Sequence, residues 1–131
     1  MSAVYLDASA FVKLIVDEPR SRALHDFLAG ERGRFISSAL LRTQALRAAA
    51  RHGPEALGVA REALGRVDLV SIDDRILDGA GLLHPDGLRS LDAIHVATAA
   101  AIGDDLRVIV TYDERMVEAA SLMGLRTATP V

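Results

Sequence analysis

The stretch VYLDASAFVKL, residues 4–14, decides the fold class of this chain. It begins with apolar residues suited to a short buried strand, Asp7 follows them directly, and apolar residues at helical spacing come next. We predict a helix over residues 9–16, with Ser9 as its N-cap. A strand that leads straight into a helix is the repeating unit of a parallel sheet covered by helices.

The same alternation continues to the end of the chain. Further strands are predicted at RFIS (34–37), VDLVSI (67–72), LRVIVTY (106–112) and, as an edge strand, LRTATP (125–130). Helices are predicted over residues 19–29, 38–52, 54–66, 73–83, 90–102 and 114–123. Because the strands are short apolar runs, we predict an α/β fold: a three-layer α/β/α sandwich with a mostly parallel central sheet. Without a linker or repeat, residues 1–131 are expected to form one domain.

Composition and charge exclude several classes of protein. There is no apolar run near the roughly 18 residues of a membrane helix and no signal segment, so we expect a cytoplasmic protein without a membrane partner. Cysteine is absent, which excludes disulfides and thiolate metal sites. The net charge of −3 argues against a uniformly basic surface for nucleic acid. A phosphate backbone would therefore need local arginines or bound cations.

Two aspartates occupy equivalent places at the ends of predicted strands. Asp7 follows the first strand, and Asp113 follows a similar apolar run in VIVTYDERM, residues 108–116. Open α/β sheets bind ligands beyond the carboxyl ends of their strands. If these two strands are neighbours, the carboxylates repel one another unless a cation lies between them. The plainer alternative is that each aspartate only caps the helix that follows it.

A third aspartate lies in the apolar helix LRSLDAIHVATAAA, residues 88–101. An unpaired buried carboxylate costs several kcal/mol, so Asp92 needs a partner, such as a metal ion shared with Asp7 and Asp113. Alternatively, the helix dipole alone favours an aspartate in the first turn. We interpret His95, one turn later, as a hydrogen-bonded core residue rather than a ligand. Zinc is not expected, because the other histidines show no ligand spacing: His25, His52 and His84.

Carboxylates without histidine or cysteine indicate a hard cation, Mg²⁺ or Mn²⁺. Such a site suits the hydrolysis of phosphodiesters, because the cation activates water and stabilises charge on the phosphoryl oxygens. No competing machinery is visible in the sequence, which has no glycine-rich phosphate loop, nucleophile elbow or dinucleotide fingerprint.

Four segments, in this order, resemble the PIN-domain ribonucleases of the VapC toxin type: YLDASAFVKL, SSALLRTQALRAA, LRSLDAIHVATA and VTYDERM. The resemblance covers essentially the whole chain. It implies a PIN-like sandwich whose acidic residues bind Mg²⁺ or Mn²⁺ and cleave RNA, often tRNA or rRNA. It also implies a VapB antitoxin that occupies the groove. Finally, it implies a homodimer that joins antitoxin dimers in larger complexes that repress their own operon.

The resemblance carries three family acids over to this chain as metal ligands: Asp7, Asp92 and Asp113. Two small hydroxyl residues that help to orient the site are carried over with them: Ser9 and Thr111. The remaining family acid is usually a glutamate on the helix after the second strand, and Gln44 stands at that place.

Gln44 is nearly isosteric with glutamate but can neither hold a cation by charge nor accept a proton from water. Glu31 and Glu55 lie outside the helix, so no acid substitutes for it. We therefore predict a weakly active or inactive ribonuclease, with less carboxylate repulsion in the metal-free fold. A natural loss of catalysis and a deliberate Glu-to-Gln substitution that silences a toxic chain both explain this residue. A third explanation is that Gln44 is a surface residue and the correspondence is misplaced.

Three functions compete. The first is a metal-dependent endoribonuclease toxin that leaves a 5'-phosphate and a 3'-hydroxyl and holds RNA on arginines near the acids: Arg42, Arg47, Arg89 and Arg115. The second is a catalytically inert module that titrates an antitoxin, with residues 9–30 offering a groove to a partner helix; ordinary packing against the sheet explains the same residues. The third, a phosphatase with Asp7 as nucleophile, is disfavoured because Ser9 replaces a required acid and no lysine occurs late in the chain.

Overall fold

The strands are short, and the apolar segments at the centre of the sheet are fully buried. The computed structural model describes residues 2–131 and contains β1 (Ala3–Leu6), β2 (Arg34–Ser38), β3 (Asp68–Val70), β4 (Leu106–Val110) and β5 (Thr127–Ala128). The order across the sheet is β3-β2-β1-β4-β5, and every neighbouring pair is parallel. The predicted parallel sheet is thus confirmed, with β5 at an edge.

Within residues 2–131, seven α-helices connect these strands: α1 (Ala8–Ile15), α2 (Ser21–Ala29), α3 (Leu40–Ala50), α4 (Pro54–Leu64), α5 (Asp74–Gly81), α6 (Ser90–Ile102) and α7 (Glu114–Leu122). A short 3₁₀ turn, Gly103–Asp105, precedes β4 and was not predicted. None of these helices has the length and apolar character needed to span a membrane.

The two faces of β1 contribute to two different hydrophobic cores, because side chains alternate along a strand. One face packs against α1, α2 and α3 through Val4, Leu6, Phe11, Leu24 and Leu41. The opposite face packs against α6 and α7 through Ala3, Tyr5, Ala99 and Ala120. Helices therefore cover both faces of the sheet, which confirms the predicted three-layer sandwich.

Three predicted helix starts were wrong. The N-cap of α1 is Asp7 rather than Ser9, because the Asp7 carboxylate accepts a hydrogen bond from the backbone N–H of Ala10. Helix α2 begins at Ser21, since Arg20 has a left-handed backbone (φ 75°) that ends any helical path from Pro19. Helix α3 begins only at Leu40, because β2 continues as far as Ser38.

The strand order places a crevice between β1 and β4. From β1 the chain moves outward through β2 to β3, and it then returns to the other side of β1 to form β4 and β5. The carboxyl ends of β1 and β4 are thus the switch point, where open α/β sheets bind their ligands. Asp7 follows β1, and Thr111 follows β4, at this place.

Candidate active site

The carboxylate of Asp7 is enclosed by hydrogen-bond donors. Oδ1 accepts from the backbone N–H of Ala10 at 2.9 Å and Oδ2 accepts from Thr111 Oγ1 at 2.6 Å. The hydroxyl of Ser9 lies 2.8 Å from Oδ1 and 3.0 Å from Oδ2. With only 2% of its surface exposed, Asp7 is the most deeply buried acid of this site.

Burial raises the pKa of Asp7 to about 6, because the ionised carboxylate loses its hydration. The hydrogen bonds from Thr111, Ala10 and Ser9 oppose this effect by stabilising the ionised form, and the charge of Asp92 adds to it. An aspartate with this pKa is the kind of perturbed group that accompanies functional sites.

Ser9 and Thr111 join the loops that follow β1 and β4. Ser9 Oγ accepts from the backbone N–H of Tyr112 at 2.9 Å, and Thr111 Oγ1 accepts from the backbone N–H of Asp113 at 3.1 Å. Each hydroxyl also donates to Asp7, so each holds the two strand ends together through that carboxylate. Both hydroxyls therefore contact Asp7, and the orienting role predicted for them remains a proposal.

Asp113 is the N-cap of α7. Its Oδ1 accepts from the backbone N–H groups of Arg115, at 2.8 Å, and Met116, at 3.3 Å. Asp7 and Asp113 both cap helices, as the plainer alternative has it. Capping leaves Asp113 half-buried at the mouth of the crevice, so this role is compatible with a second one.

Asp92 lies in the first turn of α6 and is half-buried. Burial and the nearby charge of Asp113 raise its pKa, whereas the guanidinium groups of Arg89 and Arg115 oppose this rise. Since Asp92 also affects Asp7, the three predicted acids form one electrostatic group.

The chemistry of these three side chains fits a hard cation, which prefers carboxylate oxygens. The three side chains converge less closely than the ligands of a complete metal site. Among residues 2–131, no three side chains of histidine, cysteine, aspartate or glutamate converge closely enough to share a metal ion. Both oxygens of Asp7 are already engaged by protein donors. The predicted three-carboxylate metal site therefore remains a proposal.

Gln44 points inward from α3 and is half-buried. Its Oε1 lies 2.7 Å from Nε2 of His95, and Nδ1 of His95 lies 2.7 Å from the hydroxyl of Tyr5. Gln44 is therefore not an ordinary surface residue. The interpretation of His95 as a hydrogen-bonded core residue is confirmed, because only 1% of its surface is exposed. Burial lowers the pKa of His95 to about 4.

The comparisons with known proteins agree over nearly the whole chain. The PIN domain model matches residues 4–122. Ribonuclease VapC46 of Mycobacterium tuberculosis is 48% identical over 130 residues, covering 99% of each chain. Ribonuclease VapC35 of the same species is 42% identical over 130 residues, covering 97% of this chain and 96% of its own. This chain belongs to the PIN-domain family, among the VapC proteins.

Solved structures show the same fold at low sequence identity. Mycobacterium tuberculosis VapC20, described as a toxin that cleaves the sarcin-ricin loop, has a TM-score of 0.76 at 16% identity, over 97% of this chain and 99% of its own. A toxin–antitoxin complex from Klebsiella pneumoniae gives 0.76 at 21% identity, over 99% and 98%. VapBC2 from Rickettsia felis, bound to a promoter DNA fragment, gives 0.73 at 12% identity, over 98% and 99%.

The predicted RNA-binding arginines of this PIN domain fall into two groups. Arg89 and Arg115 act electrostatically on Asp92, and Arg115 Nη1 also donates to the carbonyl of Gly87 at 3.2 Å. The other two, Arg42 and Arg47, are exposed on α3. The structure thus places only the first pair beside the acids.

A cationic contact beside the crevice was missed in the sequence. Nζ of Lys13 lies 4.7 Å from the ring centre of Tyr112, and Cζ of Arg20 lies 5.8 Å from it. Tyr112 directly follows Thr111 in the chain. No sequence pattern predicts this contact, because it depends on how α1 and the loop after β4 pack.

Proposed function

We propose that this PIN-domain protein is a VapC-type toxin, an endoribonuclease that depends on Mg²⁺ or Mn²⁺ and is controlled by a VapB-type antitoxin in the cytoplasm. One observation carries the proposal: Asp7, Thr111 and Asp113 lie together where β1 and β4 end, and Asp92 interacts electrostatically with both aspartates. Relatives at 42% and 48% identity are named ribonucleases, which supports the activity.

In this proposal Asp7, Asp92 and Asp113 would hold the cation. When bound, the cation supplies activation of the attacking water and stabilisation of charge on the phosphate oxygens. Ser9 and Thr111 direct their hydroxyl protons at Asp7, which keeps that carboxylate ionised and fixed in orientation. Arg89 and Arg115, beside Asp92, would contact the phosphates of the RNA. The products would carry a 5'-phosphate and a 3'-hydroxyl.

A structured RNA is the proposed substrate, tRNA or rRNA. The description of VapC20 as a toxin that cleaves the sarcin-ricin loop shows that one protein of this fold acts on such RNA. The acidic net charge of this chain, −3, argues against broad binding of nucleic acid. In this proposal, the arginine side chains and the bound metal ion at the crevice therefore attract the RNA locally.

The amide at position 44 limits the activity. Restoring a carboxylate there adds the charge that a divalent ion needs, so Gln44→Glu should cleave RNA at least about 100-fold faster than the unchanged chain, the scale of a well-placed acid–base group. The assay uses total tRNA with Mg²⁺, with and without EDTA. Thr43→Glu is the matched control, because it adds the same charge at the neighbouring, exposed position of α3.

Cleavage by Gln44→Glu that EDTA abolishes, with none from Thr43→Glu, would support the nuclease. Failure of both variants on every RNA offered, while the chain still binds a VapB-type antitoxin, would favour the second candidate: an inert module that titrates an antitoxin.

One feature supports an antitoxin partner, which both candidates require, independently of catalysis. An apolar cavity of about 480 Å³ lies between α1, α2 and α4, and its walls include Leu6, Phe11, Leu14, Leu28 and Phe35. It overlaps residues 9–30, where the sequence predicts a groove for a partner helix. Two structures of similar fold are toxin–antitoxin assemblies by their descriptions. A homodimer that joins antitoxin into a larger complex is proposed on the same basis.

A further inference from the structure

Three elements meet through one largely buried chain of hydrogen bonds. The hydroxyl of Tyr5 on β1 contacts Nδ1 of His95 on α6, and Nε2 of His95 contacts Oε1 of Gln44 on α3, each at 2.7 Å. The rings of Tyr5 and His95 also pack edge to face, with centres 5.8 Å apart. Since Asp92 lies one turn before His95 on α6, this chain of hydrogen bonds links position 44 to the helix that carries one of the acids.

The direction of the protons follows from the chemistry of each partner. A neutral imidazole has one N–H donor and one acceptor nitrogen. Because Oε1 of Gln44 faces the ring and can only accept, we assign the proton to Nε2 of His95, and Nδ1 then accepts from the hydroxyl of Tyr5. No buried side-chain nitrogen or oxygen of residues 2–131 lacks a partner, so this arrangement satisfies every buried group of the three side chains.

We propose that His95 is a positioning residue for the side chain at position 44: it donates its Nε2 proton to Oε1 of Gln44 and thereby turns the Gln44 amide NH₂ group outward. This NH₂ group has no hydrogen-bond partner among residues 2–131, and because no buried nitrogen there is unpaired, it must reach the surface. The residue that stands for the family acid therefore presents a hydrogen-bond donor, which a cation does not bind.

The same contact would give the two carboxylate oxygens of a glutamate at position 44 different surroundings. One carboxylate oxygen would accept from His95, and the second would face outward where the NH₂ group now lies. His95 would thus engage one oxygen and leave the other available to a cation, as groups that orient metal ligands do. This consequence for the metal rests on the proposed nuclease function, whereas the tautomer of His95 does not.

The first test is a measurement on the unchanged chain. Long-range ¹H–¹⁵N NMR of ¹⁵N-histidine-labelled protein reports which ring nitrogen of each histidine carries the proton, and the exposed His25, His52 and His84 serve as internal references. We expect a single tautomer of His95 with the proton on Nε2. A proton on Nδ1, or an averaged mixture of tautomers, would overturn the proposal without any variant that has to fold.

The second test measures Mn²⁺ affinity without RNA, in the Gln44→Glu background. His95→Phe should bind Mn²⁺ about 10- to 100-fold more weakly, the usual cost of losing such an orienting partner. His95→Gln, which can still donate and accept, should recover part of the affinity, and His84→Gln at an exposed site should change nothing. Thermal melts establish that each variant is folded.

The outcomes separate the two proposals. Equal Mn²⁺ affinity for folded His95→Phe, His95→Gln and the Gln44→Glu parent would refute the positioning role. If affinity depends on His95 but no variant cleaves RNA, the positioning role stands and the proposed nuclease function fails. If His95→Phe does not fold, the His95→Gln affinity and the tautomer measurement decide the question.

Discussion

Asp7 and His95 are buried ionisable residues whose effects on stability oppose one another. Asp7 has a folded-state pKa of about 6 against an ordinary value of 3.8, so the folded chain binds a proton more readily than the unfolded chain. The stabilisation that Asp7 adds to the free energy of unfolding is complete below pH 3.8 and is lost as the pH rises through 6. His95 has a folded-state pKa of about 4 against 6.5, so its contribution is present above pH 6.5 and is lost as the pH falls through 4.

Because each shift corresponds to about 3 kcal/mol and the signs differ, the two effects should nearly cancel between about pH 4 and 6.5. In Asp7→Asn only the His95 effect remains, so the free energy of unfolding of this variant should rise with pH in this interval. His95→Gln should leave the Asp7 effect, so its free energy of unfolding should fall. Urea denaturation at several pH values in EDTA measures both slopes, and parallel curves for all three proteins would contradict the opposing effects of burial.

At the scale of the elements, two helices begin at acids of the site. Asp113 caps α7, so Asp113→Ala should lower the free energy of unfolding by about 1 kcal/mol, whereas Asp113→Asn should keep most of the cap. In the Gln44→Glu background both variants should lose RNA cleavage, because an amide replaces the carboxylate charge no better than a methyl group does.

Urea denaturation combined with the tRNA assay separates the structural role of Asp113 from the proposed catalytic one. Full cleavage by the Asn variant would show that Asp113 only caps the helix.

The same elements show what could be predicted from the sequence. Helix α6 was predicted over 90–102, its observed span, because an apolar run between Arg89 and Gly103 has clear ends. The start of α1 was missed because Asp7 and Ser9 are both good caps, and only the backbone path decides between them. The contact between Gln44 and His95 was also missed, since it joins residues 51 positions apart and has no periodic signature.

At the scale of the whole molecule, the proposed function requires a protein of net charge −3 to bind a negatively charged polymer. The structure places Arg89 and Arg115 next to Asp92, where they offset carboxylate charge. Replacing both with glutamine should weaken RNA binding. The slope of log K against log salt concentration should become shallower by about 0.7 for each phosphate that the variant no longer binds. Arg51→Gln with Arg61→Gln, at exposed positions, is the matched control. Equal salt slopes for the two double variants would place the RNA elsewhere.

The pairing of β1 with β4 also sets an order of events during synthesis. Residues 3–6 leave the ribosome well before their partner strand, residues 106–110, is made. Until then one edge of β1 stays open, and Thr111 and Asp113 do not yet exist in the nascent chain. A chain released by a premature stop codon before residue 106 therefore lacks the crevice altogether. Translation has to continue through residue 113 before all the acids described above are present in one chain.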